Sequence, residues 1–450
     1  METSQERDGG EGVAGQEPGG GGLRLRQEIG LWSAVSLSAG CMIGSGVFMS
    51  PQGVLFYMGS PGASLVVEAV CGLLAMLGAL CYAELGALVP KSGGEYAYIL
   101  RTFGFRPAFL VIYTFVLVGR PAAIIAVSLS FAEYAVAPFY LGCSSLPQVL
   151  LKGVAATCIL VLMLVKCWSS WLATRLMNLC TVAKVFSLLL IVGGTLLSAF
   201  HNTTKQARHI GMAFYQGLWS FDGWNSLNYV MEELKNPNQN LVYLLMLSPT
   251  DILSSNAVAG SWWNQVLGAW AWLMPLAVVL STFGLSMGYS SVEAVCAMWL
   301  LERPQLLSMV HVHRLTPAPA MMFTTAVALV LIILGNFSTT VNCLSFLIWL
   351  TNGITISCLL YLWIKRNLPR TYKVPTVISA IMLFASLYLV LAPIIDHPQT
   401  EFLYIFLFLL SGFLVYFLFV YFRCQPKYLQ MTTLHLQLLL EVVLATENAD

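Results

Sequence analysis

From Leu315 to Ile364 the chain carries no Asp, Glu, Lys or Arg, and from Ser254 to Val292 it carries none either. No water-exposed surface can be built from such stretches, whereas a bilayer accepts them, because a spanning helix needs about 20 apolar residues. The first stretch holds two such helices joined by the turn "GNFSTT". The rest of the chain follows suit. Of its 450 residues, 58% are hydrophobic and 10% charged, against about 25% charged in a soluble domain. The chain is read as an all-α polytopic membrane protein, with the lipid bilayer as its solvent.

A net charge of +1 with no basic patch among aromatics gives no footing for nucleic acid. Residues 1–27 are polar and glycine-rich, without the order of a cleaved signal peptide, and are expected to form a disordered cytoplasmic tail. Residues 28–424 are expected to form the transmembrane domain and residues 425–450 a cytoplasmic C-terminal tail.

Eleven apolar segments follow one another, at about 30–57, 62–89, 107–138, 149–167, 176–200, 209–231, 265–298, 317–336, 340–364, 374–395 and 402–422. Short loops rich in Lys and Arg face the cytoplasm. With the N-terminus inside, Arg24, Arg26, Lys91, Arg101, Arg106, Lys166, Arg175 and Lys235 all obey that rule, and Lys205 and Arg208 are mild exceptions. Strict alternation then puts Arg303, Arg314 and the cluster "KRNLPRTYK" outside, where the rule does not want them. One more span between 235 and 265 would remove the conflict. That interval holds only "LVYLLML", Leu241 to Leu247, too short to cross as a helix.

The first segment contains "SAGCMIGSGVF", with Gly40, Gly44 and Gly46 at its middle. Small residues let helices approach closely, or let a helix unwind around a ligand at mid-membrane. The sixth segment is interrupted too: "FYQGLWSFDGWNSLNY" places Asp222, two Trp and two Asn between glycines. Two broken spans whose starts are five spans apart fit an inverted-repeat transporter with five helices per repeat and discontinuous helices 1 and 6. Backbone N–H groups freed at the glycines would hold an anionic carboxylate, and freed carbonyls would accept from an ammonium. Zwitterionic amino acids suit such a pair, with Trp219 over the side chain and Asp222 facing a cationic one.

Arg120, Lys184 and Asp222 lie at membrane depth, where a charge costs about 2.5–3.5 kcal/mol. Each marks either a substrate or ion pathway or a structural pairing inside the bundle. "GSG" lacks the Lys-Ser/Thr of a phosphate loop, so ATP-driven pumping finds no support and no cofactor, metal or enzymatic step is expected. His311 and His313 read as solvated loop residues, and Asn202 and Asn336 open glycosylation sequons close to the membrane. Among the eleven cysteines, Cys143 alone falls in an exposed outside loop, either as a free thiol or as half of an intermolecular disulfide.

Five stretches, "GCMIGSGVF", "LCYAELGALVPKSGGEYAYI", "LWSFDGWNSLNYVMEELKNP", "RLTPAPA" and "LHLQLLLEVV", resemble the light subunits of heteromeric amino-acid transporters. These belong to the amino acid–polyamine–organocation superfamily, and the likeness runs from about Glu28 to Val443. It is strongest toward the branch exchanging cystine, basic and neutral amino acids, and nearly as strong toward its aromatic-preferring relative. The resemblance implies sodium-independent exchange at the plasma membrane. It implies that Ile43, Gly44, Ser45 and Gly46 bind the substrate's α-carboxylate and α-amino groups, with Trp219, Ser220 and Asp222 completing the site. Lys184 would stand where sodium sits in sodium-coupled relatives. Cys143 would be joined to a single-span heavy-subunit glycoprotein.

This chain departs from the family in four places. The family has twelve spans, and the matching seventh falls in the gap between Leu241 and Ser248. "GLSMGYSSVEAV" lacks the small and amide residues expected in helix eight and carries Glu293. Glu68 lies inside the second span, and the C-terminus reads "EVVLATENAD" in place of a proline-rich acidic end. Two readings of function follow: a working exchanger, or a relative lacking one span that does not transport and at most binds the heavy subunit. An ion channel fits less well, since no repeated polar rings are present.

Overall fold

Proline and glycine punctuate the helices where the bilayer allows it. The computed structural model describes residues 46–89, 93–136, 147–168, 172, 175–176, 179–181, 210–223, 225–229, 279, 282, 309–311, 318–334, 337–365, 373–396, 400–417 and 442–444. Helix α1 (Gly46–Met58) leads through Gly59, at φ 65°, into α2 (Pro61–Leu88). The proline stands at the first turn, where its missing N–H costs nothing. At about 1.5 Å per residue, the 28 residues of α2 outreach the hydrocarbon core. Then come α3 (Glu95–Phe103), α4 (Phe105–Thr114), a π-helical turn (Phe115–Gly119) and α5 (Arg120–Val136). The last three run on as one span.

Helices α6 (Gln148–Trp168) and α7 (Ile210–Ser220) follow, with a 3₁₀ turn at Ser226–Tyr229. The chain ends in α8 (Ala318–Leu334), α9 (Phe337–Lys365), α10 (Thr376–Asp396) and α11 (Thr400–Val415). Among the described residues, five helices are long and apolar enough to cross a membrane. The main core joins α1, α2, α5, α7, α9 and α10 through side chains such as Val54, Val67, Ala126, Tyr215, Leu347 and Met382. Outward faces carry Phe384, Leu387, Leu407 and Leu414 exposed, as lipid-facing surface requires. One strand pair departs from the helical expectation: β1 (Met309–His311) runs antiparallel to β2 (Val442–Leu444), with Met309 opposite Leu444. His311, expected in a loop, thus has its backbone in a strand that returns the C-terminal segment to the start of α8.

The sixth segment is interrupted where the sequence places the break: α7 stops at Ser220 inside it. Helix α1 is described from Gly46 onward, and the expected break at Gly40–Gly44 lies outside the described residues. Gly46 sits against the backbone of Trp219 and Ser220 so closely that a Cβ there would run into the Trp219 carbonyl and come within 2.8 Å of the Ser220 Cα. Of the two earlier readings, this contact bears on close approach: the glycine lets α1 touch the end of α7.

A buried carboxylate joins helices at one end of the bundle. Glu84 of α2 is fully buried, and its Oε1 accepts from the Trp363 indole N–H of α9 at 2.8 Å. Its Oε2 accepts from the Val374 backbone N–H, ahead of α10, at 3.0 Å. At the same end, the Gly94 N–H donates to the Asn228 carbonyl at 3.2 Å, and Ala320 of α8 packs with Tyr96 and Tyr229. Arg101 and Lys373, both exposed, therefore belong to one face of the bundle, as the positive-charge rule demands. Strict alternation of eleven spans would separate them. The expected spans at 176–200 and 265–298 and the run at 241–247 lie almost wholly outside the described residues.

Two outcomes follow. In otherwise cysteine-free backgrounds, Arg101→Cys and Lys373→Cys react with a membrane-impermeant maleimide from the same face, and labelling from opposite faces refutes the arrangement. Gly46→Ala abolishes substrate binding in a radioligand assay, because backbone cannot step aside, whereas Gly62→Ala, where a Cβ meets nothing within 4 Å, stays within about twofold of the parent.

Candidate functional site

The site begins with unsatisfied backbone. A helix leaves its first four N–H and last four C=O groups without intrahelical partners, and carries about half a positive charge at its start and half a negative one at its end. The end of α7 meets α1 where Ser220 lies against Gly46, so the carbonyls that α7 leaves open lie beside the first described turn of α1. The last turn of α7 tightens: the Phe221 N–H donates to the Leu218 carbonyl at 3.2 Å and the Asp222 N–H to that of Trp219 at 3.4 Å. Gly223, at φ 100°, turns the chain toward the 3₁₀ segment.

Beside this junction lies a cavity of about 20 Å³ lined by Ala75, Leu218, Trp219, Phe221, Asp222, Ser345, Ile348, Trp349 and Asn352. That is room for roughly one water-sized group, so the walls are closed on one another. Trp219 is buried, and its indole Nε1 has no hydrogen-bond partner although the atom is shielded from solvent. A buried donor left unmade costs about 1–3 kcal/mol, which points to an acceptor supplied by something bound.

Below the cavity a polar cluster ties three helices to the segment after Asp222. Glu95 at the start of α3 is buried, and the Asn225 Nδ2 donates to its Oε1 at 2.7 Å. The Tyr82 hydroxyl of α2 lies 3.1 Å from the same oxygen and 2.7 Å from Asn352 Oδ1 of α9. The Tyr98 hydroxyl donates to Asn228 Oδ1 at 3.0 Å. Gly94, at φ 54°, holds its backbone against the Tyr229 ring, where a Cβ would come within 2.7 Å.

The Arg120 guanidinium stacks between two rings, 4.7 Å from the centroids of both Phe115 and Tyr229. A desolvated cation–π contact is worth about 2 kcal/mol, comparable to the cost of placing the charge in the membrane. Of the two readings open for Arg120, the geometry supports structural pairing, in which the π-helical turn brings Phe115 under the cation.

Trp219, Ser220 and Asp222 are thus brought together with Gly46 at the junction. Ile43, Gly44, Ser45, Lys184 and Cys143 lie outside the described residues. Glu68 stands two turns along α2 from Ala75, with its Oε1 shielded from solvent and lacking a partner. Sequence reasoning passed over Tyr82, Glu84, Glu95, Ser345 and Asn352. As polar residues inside apolar segments, Tyr82 and Glu84 in "CYAELGAL", Ser345 in "LSFLI" and Asn352 in "WLTNG" stand out in the sequence, but not the partners that give them a role; Glu95 in "GGEYAY" lies between two segments.

Comparison with known proteins gives the family. A family model described as amino acid permease matches residues 29–248. The chain is 40% identical to the human b(0,+)-type amino acid transporter 1 over 95% of each sequence. It is 36% identical to the mouse large neutral amino acids transporter small subunit 2, over 91% of this chain and 84% of that one. The human Asc-type amino acid transporter 1 is 35% identical, over 90% of this chain and 84% of its own length. The chain therefore belongs to the amino-acid permease family, in the group that includes the light subunits of heteromeric amino-acid transporters.

Proposed function

We propose that this protein exchanges amino acids across the plasma membrane, independently of sodium, as the light subunit of a heterodimer. The observation that carries the reading is the meeting of α1 and α7 at Gly46 and Ser220 beside a cavity walled by Trp219 and Asp222. Ile43, Gly44, Ser45 and Gly46 present the N–H groups that receive the α-carboxylate, at the positive end of α1. The carbonyls ending α7 accept from the α-ammonium. Trp219 covers the substrate side chain, Ser220 borders it, and Asp222 faces a basic one. Substrates are neutral or aromatic amino acids, with basic ones and cystine admitted through Asp222.

No covalent step is involved. The binding energy of one amino acid is used to close the bundle around the midplane site, and the closed site reopens on the other face. Lys184 occupies the place of a sodium ion. Cys143 forms the disulfide to a single-span heavy-subunit glycoprotein, and the N-terminus faces the cytoplasm.

Proteoliposomes holding the full chain and heavy subunit take up labelled leucine or arginine only when preloaded with unlabelled amino acid, equally in sodium and choline media. Asp222→Asn lowers arginine uptake at least tenfold with leucine uptake less affected, and Trp219→Ala lowers both. Uptake into empty vesicles, or a requirement for sodium, contradicts the proposal. Cys143→Ser removes the heterodimer band from a non-reducing gel.

A further inference from the structure

The cavity contains an amide whose orientation can be worked out from its neighbours. Asn352 of α9 is 1% exposed, lines the cavity with Asp222 and Ser345, and has a shielded Nδ2 with no partner. Its Oδ1 lies 2.7 Å from the Tyr82 hydroxyl, which also lies 3.1 Å from Glu95 Oε1. A phenol has one proton and cannot donate to both oxygens. The carboxylate is the stronger acceptor, so the proton belongs to Glu95. The contact with Asn352 is then satisfied by a half-turn of its amide, which sets the NH₂ group against the phenol oxygen. The same half-turn gives the partnerless Nδ2 its acceptor and leaves the amide carbonyl, on a residue that lines the cavity, at a shielded position with no protein partner.

We propose that Asn352 is a substrate-contacting, specificity-determining residue, its carbonyl fixed toward the cavity by the Tyr82–Glu95 pair. Beside Asp222 it forms a double acceptor for a hydrogen-bond donor at the end of a substrate side chain. Tyr82 and Glu95 touch no substrate and act as positioning residues. The arrangement favours side chains ending in ammonium, guanidinium or amide N–H over apolar ones of equal length, because a carbonyl buried opposite a methyl group loses its partner. The inference rests on the cavity being the substrate site.

The test compares lysine with norleucine, which has a methyl group where lysine carries its ammonium, as competitors for leucine exchange by the full chain with its heavy subunit in proteoliposomes. Asn352→Ala raises the half-saturation constant for lysine about tenfold and leaves that for norleucine within about twofold. Tyr82→Phe keeps the ring packing, releases the amide and weakens lysine selectively, by a smaller factor. Equal changes for both competitors, or none, in either variant overturn the assignment and leave the exchange reading standing, and so does an unmutated chain that does not distinguish the pair. Absence of exchange by the unmutated chain removes the exchange reading and the inference with it.

Discussion

Lipid offers no hydrogen bonds, so every backbone polar group at membrane depth must be satisfied inside the protein. The junction of α1 and α7 is where this structure departs from that rule, and much of the bundle supports the departure. Helix α7 stops inside its apolar segment, and its end lies against α1, held close by the absence of a side chain at Gly46. The carbonyls it leaves open lie in a core that α2, α9 and α10 share. A ligand that carries an ammonium can satisfy such carbonyls, which links this helix end to an amino-acid substrate.

Around the junction, carboxylates organise the helices in a way apolar packing cannot. Glu84 spends both oxygens joining α2 to the α9–α10 turn, and Glu95 collects the Tyr82 and Asn225 contacts under the cavity. Each is directional, so each fixes the rotation of a helix as well as its distance. The Arg120 stack on Phe115 and Tyr229 adds a connection from the third span to the segment that follows Asp222. Helix ends tied through polar contacts can separate and re-form as discrete states.

The broken sixth span was legible because "LWSFDGW" contradicts helix propensity inside an otherwise apolar run. Trp219 and Asp222, which line the cavity beside that break, stand out for the same reason. Glu84, Glu95 and Asn352 were not, because a polar residue's worth depends on partners remote in sequence: Glu84 meets Trp363, and Tyr82 meets Asn352. The count of spans was legible as a conflict but not as a solution. Hydropathy and charge disagree at "KRNLPRTYK", and the placement of Val374 on Glu84 brings the end of that cluster to the end of α2. The β1–β2 pair left no usable trace, since three-residue strands carry too little alternation to be distinguished from loop.

The central claim is that the two half-helix ends read the α-carboxylate and α-ammonium together. The most direct measurement is equilibrium displacement of labelled leucine from the purified protein by three competitors: leucine, leucine methyl ester without the carboxylate charge, and 4-methylvalerate without the ammonium. The account predicts that each truncated analogue binds at least a hundredfold more weakly than leucine, since one helix end is then left unsatisfied. Displacement by either analogue with an affinity near that of leucine would contradict it.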